Sequence, residues 1–242
     1  MVSLTCFNRR FTPGWRMLVL TFLIAGLFFR LGFWQLARAA EKKRMLATQA
    51  RLAQQVPVNW KPGLKNPEQY QPLKVEGHYL PALLFLDNQH YQHQFGYHVF
   101  SPLLLSSNEI ILVDRGWVIG DVSRKTLPLI ATPAHNLHLT GYTYYPSKRN
   151  WVLGQVYEKK EGNIAIIERI DTKMLGQFLH KSVYPFIIRL GKGESDGFVR
   201  EWPIVAMSPE RHYAYALQWF AMASLILILF IVLNLKKTYE PV

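Results

Sequence analysis

Tyr213–Leu235 reads YAYALQWFAMASLILILFIVLNL, 23 residues without one charged side chain, and Lys236 and Lys237 end it. At about 1.5 Å of rise per residue, a helix of that length covers the ~30 Å hydrocarbon core of a bilayer with a little to spare. The stretch predicts a transmembrane helix near the C-terminus, placed here at residues 212–235.

A second apolar run, Trp15–Leu36, is less clean. Met17–Phe29 is apolar but has only 13 residues, too few to cross. A crossing must take in Arg30, Leu31, Gly32, Phe33 and Trp34. Arg30 then lies six residues from the end of the run, near enough for its head group to snorkel to the interface. Trp15 and Trp34 fall at opposite ends, where the interface favours indole. The rival reading is a cleaved signal peptide, with Arg9 and Arg10 as its basic region and Ala37-Arg38-Ala39 as its cleavage site. Against it, ten residues separate Phe29 from that cut, Arg30 and Trp34 among them, so a retained helix is expected. The pair Arg9-Arg10 alone is a weak match to a twin-arginine export signal. The expected organisation is a tail at 1–14, a transmembrane helix at 15–36, a water-facing domain at 37–211, a second helix at 212–235 and a tail at 236–242.

The formal charge is +12. Arg9, Arg10, Arg16, Arg30, Arg38, Lys42, Lys43, Arg44, Arg211, Lys236 and Lys237 flank or enter the apolar runs, so the lipid bilayer's anionic headgroups are a simpler partner than nucleic acid. Two spans put both tails on one side. Basic residues lie on both sides of the first span, so charge leaves the orientation open. The single cysteine, Cys6, precedes the domain, which excludes a disulfide, a thiolate metal site or covalent haem attachment within it.

Residues 37–53 (ARAAEKKRMLATQARLA) lack Pro and Gly and predict a continuation of the first helix out of the membrane. Pro57, Pro62, Gly63 and Pro67 then mark a loop. Strand-like runs follow at Leu73–Tyr79, Leu83–Asp87, Tyr97–Leu105, Ile110–Asp114, Leu137–Tyr145, Ile164–Ile170 and Val183–Leu190, with helical pattern only at Thr172–His180. The expected fold is a membrane protein whose two helices flank a mainly antiparallel β (α+β) domain, a sheet or small barrel.

Three candidates for chemistry emerge. His90–His98 (HYQHQFGYH) holds His90, His93 and His98; they read as surface turn residues, and a metal site formed by a turn at Gly96 is the alternative. Asp114-Arg115-Gly116-Trp117 reads as the end of a hydrophobic strand, with a charge pair, a glycine for a tight backbone and a tryptophan over the core. His212 stands at the mouth of the second span, with Trp219 seven residues on and therefore on the same helical face, and Tyr215 and Ala216 between them. An imidazole there can ligate haem iron while the indole packs on the macrocycle, and the small Ala216, Ala221 and Ala223 would admit a flat ring or another helix. An interfacial histidine in an aromatic belt is the bland alternative. No other constellation has the character of an active site, and the expectation is a protein that is not an enzyme.

Four motifs together resemble a known family. Leu31-Gly32-Phe33-Trp34-Gln35-Leu36-Ala37-Arg38 is similar to an L-G-x-W-Q-L-x-R signature. Gly96-Tyr97-His98-Val99 with Pro102 resembles G-Y-x-V-x-x-P. Leu112-Val113-Asp114-Arg115-Gly116-Trp117-Val118 resembles L-V-N-R-G-W-V, and His212–Phe220 resembles H-L-x-Y-A-x-Q-W-F. In that order they characterise the surfeit locus protein 1 family, assembly factors of haem-copper cytochrome c oxidase. The departures are Asp114 for Asn, Tyr213 for Leu, and Glu41 where an aromatic is frequent. Asp114 lacks an amide donor, which changes the turn hydrogen bonds open to it.

The resemblance implies a multi-pass protein of the bacterial cell inner membrane, with cytoplasmic tails and a periplasmic domain. It implies a role in haem a handling during maturation of oxidase subunit I, in respiratory chain biogenesis. Partners would be subunit I and haem a synthesis enzymes, with no nucleic acid. Cofactor-binding residues would be His212, Trp219 and Tyr215. Gly32, Trp34, Gln35, Arg38, Arg115, Gly116 and Trp117 would be structural motif residues. Arg30, Arg38 and Arg211 lie near the same interface and serve either haem propionates or, more simply, lipid headgroups. A cofactor-free membrane chaperone that docks a nascent oxidase subunit is the alternative.

Overall fold

A computed structural model describes residues 4–6, 9–147, 156–160 and 162–237. In chain order the elements are β1 (Leu4–Cys6), β2 (Arg9–Phe11), α1 (Trp15–Ala53), β3 (Val58–Asn59), β4 (Pro72–Tyr79), β5 (Leu83–Tyr91), β6 (Gln94–Leu104), β7 (Ile110–Ile119), β8 (Leu137–Tyr144), β9 (Tyr157–Lys159), β10 (Ile164–Ile167), α2 (Thr172–Leu179), β11 (Val183–Leu190), α3 (Pro209–Asn234) and β12 (Leu235–Lys237). They fall into two compact units, Met1–Ala47 with Ile204–Val242, and Thr48–Pro203.

The first unit is built on α1 and α3. Pro13-Gly14 leads into α1, where Leu18 N–H donates to Gly14 O at 3.0 Å, and no proline interrupts the 39 residues that follow. Proline opens α3 at Pro209, a position whose missing N–H costs nothing. Both helices are long and apolar enough to cross a membrane. Their apolar faces are bare: Phe22, Leu23, Leu217 and Leu233 are each at least 60 % exposed. A core helix of a soluble protein would be covered on those faces. Trp15 and Trp34, both exposed, stand 19 residues apart on α1, or about 28 Å along a helix, close to a bilayer's apolar thickness.

What each helix does bury follows an alternating spacing of four and three. On α1 the buried Thr21, Ala25, Gly32 and Ala39 with the half-buried Phe28 and Gln35 keep it; on α3 the buried His212, Ala216, Ala223 and Phe230 with the half-buried Trp219 do. That spacing keeps one narrow seam facing a partner helix. Beyond α3 the tails pair: Leu235↔Phe11 and Lys236↔Arg10 join β12 to β2, and β2 pairs with β1. Lys236, expected to be part of a plain tail, lies in this three-stranded sheet, and the pairing puts both tails at one end of the helix pair.

The second unit is a mainly β domain. Its sheet runs β3-β4-β8-β11-β7-β6-β5-β10-β9, and a further β4–β6 pairing closes β4, β8, β11, β7 and β6 into a barrel. Most neighbours are antiparallel, but β3–β4, β7–β11 and β5–β10 are parallel. Leu73, Val75, Leu103, Ile111, Val113, Phe186 and Ile188 belong to one core cluster, with Trp60 edge-on to Tyr184 and Phe186 at 5.0 and 5.3 Å. The alternate side chains Leu84, Phe100, Ile110, Leu112 and Ile187 form a second cluster with Leu175 of α2. Both faces of β7 are thus covered, which is why Ile110–Val113 is apolar without alternation. Asp171 caps α2, accepting from Met174 N–H at 3.3 Å.

Two local expectations are corrected. Asp114–Trp117 does not end a strand; β7 runs on to Ile119, with Gly116 at φ +112° where the β6–β7 register shifts between His98 and Phe100. The β5–β6 turn falls at Gln92-His93, both at positive φ, and Gly96 lies inside β6, where Val118 O leaves no room for a side chain.

Candidate functional site

The seam of the first unit gathers motif residues from opposite ends of the chain. His212 is 7 % exposed, and its Nδ1 lies 2.7 Å from Gln35 Oε1. Its Nε2 is buried with no hydrogen-bond partner. Two steps along the seam, Trp219 meets Phe28 with ring centroids 5.4 Å apart. Gly32, between Phe28 and Gln35, is where the Phe220 ring lies: a Cβ there would be 2.5 Å from Phe220 Cε1. Phe33 also packs edge-on to Phe220 at 5.3 Å. Gly32 therefore makes space for a ring in this seam, and Ala216 and Ala223 are buried in it. Ala221 is exposed.

Other expected residues of the unit sit differently. Tyr215 is 44 % exposed, turned away from the buried side that holds His212 and Ala216. Arg38 pairs with Glu41 one turn on, Nη1 to Oε2 at 2.5 Å, and Arg30 and Arg211 are exposed. The sequence placed His212 and Trp219 on one face but gave Gln35 no role beyond its motif. The missed signal is the four-three spacing shared by both helices, which in antiparallel register sets 35 against 212 and 28 against 219.

In the domain, Arg115 is 2 % exposed. It donates to Asp196 O at 2.8 Å, Ala131 O at 3.1 Å and Ser101 Oγ at 3.3 Å, and lies over the rings of Tyr79 and Phe198. Burial lowers the pKa of its guanidinium and raises that of the Tyr79 phenol. Gly116 opposes Val199, whose carbonyl would be 2.6 Å from any Cβ. Trp117 donates from Nε1 to Gln89 O at 3.2 Å and from its backbone N–H to Val199 O at 2.8 Å. Arg115 and Trp117 bind the loop residues 196–199 to the barrel, and Gly116 lets Val199 approach.

Asp114 is buried and accepts from Gly116 N–H at 3.1 Å and from His98 Nδ1–H at 3.0 Å. Here the carboxylate does what an asparagine carbonyl would do, and adds a histidine. His98 and His90 line a cavity of about 420 Å³ with Tyr91, Trp117, Glu201 and Trp202. His93 stays on the turn, and among the described residues no three His, Cys, Asp or Glu side chains come together to hold a metal.

The family model described as SURF1 family matches residues 22–224, from the seam of α1 through the domain to the middle of α3. The chain belongs to the SURF1 family. That family is known in general for cytochrome oxidase assembly. A SURF1-like protein of Rickettsia conorii is 27 % identical over 220 residues, covering 88 % of this chain and 89 % of that protein. A SURF1-like protein of Rickettsia felis is 28 % identical over 224 residues, covering 89 % and 94 %. Gln35, Arg115, Gly116, Trp117, His212 and Trp219 all lie within the SURF1 match.

Proposed function

We propose that this SURF1 family member is an inner-membrane assembly factor for haem-copper cytochrome c oxidase, with both tails cytoplasmic and the domain periplasmic, and that His212 is a transient axial ligand for haem a during maturation of subunit I. The observation that supports the haem reading is Nε2 of His212, a buried ring nitrogen with no protein partner. Buried polar atoms are nearly always satisfied, and an exception needs a reason. A haem held there would supply an iron that takes an imidazole nitrogen as axial ligand. Trp219 and Phe28 form an aromatic contact two helical turns from His212 in the same seam. A single histidine makes a weak hold, which suits a cofactor that must be passed on.

One observation favours a second reading. His212 is covered on all sides, so the imidazole can act simply as a strut between α1 and α3 in a cofactor-free chaperone. The absorption spectrum of the full chain, purified in detergent from cells that make haem a, decides between them. A Soret band that is lost in His212→Ala supports the haem reading; colourless protein overturns it.

A further inference from the structure

The seam orients His212 through one contact, and that contact has a chemical consequence. A neutral imidazole carries one N–H and one lone pair. The nitrogen that holds the proton is set by the hydrogen bond made at the other end of the ring or at that nitrogen itself. Nδ1 of His212 faces the amide oxygen of Gln35 at 2.7 Å, and an amide oxygen can only accept. The proton therefore sits on Nδ1, and Nε2 carries the lone pair. The reverse tautomer would bury an N–H at Nε2 with no acceptor, and orphaned N–H groups are rarer in folded proteins than orphaned acceptors. Turning the Gln35 amide would produce that same orphan, so burial at Nε2 fixes the amide as well.

We propose that Gln35 is the positioning residue that holds His212 in its Nδ1–H tautomer and so presents Nε2 as an unprotonated donor. Its purpose rests on the haem reading above; its geometry does not. Such an outer partner fixes the ring and raises its basicity as a ligand, and losing one weakens metal binding about 10–100-fold. Gln35 reaches His212 only because it occupies the seam position facing it, across 177 residues of sequence.

The test uses the full chain in detergent, labelled with ¹⁵N-histidine, with no haem present. The wild type is expected to show a protonated Nδ1 and an unprotonated Nε2 for the ring assigned to His212 by its loss in His212→Ala. Gln35→Leu removes the acceptor and is expected to give a mixture of tautomers; Gln35→Glu keeps an acceptor and is expected to hold the wild-type state. The indole ¹⁵N–H signal of Trp219, from ¹⁵N-tryptophan in the same samples and assigned by its loss in Trp219→Phe, reports the packing against Phe28 and checks that the helix pair is intact in each variant. An Nε2–H signal in the wild type, or a tautomer unchanged in Gln35→Leu with the pair intact, overturns the proposal. A titration with haemin follows. Binding at least tenfold weaker in Gln35→Leu and retained in Gln35→Glu extends the role to the ligand. No haemin binding by a wild type with the expected tautomer sinks the haem reading and leaves the role of Gln35 standing.

Discussion

Replacing Arg115 by Met tests how the domain is held together. The two side chains are of similar volume, so the change removes a charge and three hydrogen bonds without opening a large cavity. The acceptors left behind are Ala131 O, Asp196 O and Ser101 Oγ. Each buried group left unsatisfied costs about 1–3 kcal/mol. Loss of the guanidinium from the Tyr79 and Phe198 rings adds about 1 kcal/mol. In the other direction, burying a charge is itself unfavourable, and Met escapes that cost. The balance is a loss of about 3 kcal/mol, a large share of the ~5–15 kcal/mol that stabilises an ordinary domain. With a urea slope of about 2 kcal/mol/M, the midpoint falls by roughly 1.5 M. The assay is urea unfolding of the full chain in detergent, followed by tryptophan fluorescence, since Trp60, Trp117 and Trp202 all lie in the domain. A midpoint lowered by less than about 0.3 M would show that residues 196–199 are held by something else, and that Arg115 does not anchor them.

Gly116→Ala combines a strained φ of +112° with a Cβ 2.6 Å from Val199 O; a loss of about 2–4 kcal/mol is expected in the same urea experiment. Gly32→Val drives a side chain into the Phe220 ring, and the Phe28–Trp219 contact is expected to loosen, read as a shifted Trp219 indole N–H resonance with the domain's urea midpoint unmoved. The Tyr184 phenol is pushed up to about 12, by burial first and then by its hydrogen bond to Glu109. A raised folded pKa favours the protonated form, so this contribution to stability is complete below pH ~10 and fades as pH rises toward 12. Ultraviolet titration should show Tyr184 ionising above the ordinary phenol range, and Glu109→Gln should bring its midpoint down.

The helices and most strands could be read from residue order because their signals are local. Ile110–Val113 and Val183–Leu190 are runs of apolar and β-branched residues, and Tyr213–Leu235 carries no charge at all. Barrel closure was not legible. It depends on β4 reaching β6 and on β11 lying parallel to β7, pairings set by packing between distant segments and invisible to any window of ten residues. The tail sheet was hidden for another reason: Lys236 and Lys237 read as a stop to hydropathy, and hydropathy says nothing of backbone pairing. In the seam, the interval between His212 and Trp219 fixed their shared face. Gln35 could be matched to His212 only by overlaying two heptad patterns in antiparallel register. His98 and Asp114 were each singled out, yet their pairing needed the β6–β7 register.

The contact between Gln35 and His212 also keeps time. The first partner leaves the ribosome early and waits through the whole of the intervening domain before the second is made. A chain truncated anywhere in the barrel cannot form the pair, so any cargo that depends on it is offered no seat by an unfinished protein. Completion of synthesis thereby becomes the condition for closing the seam.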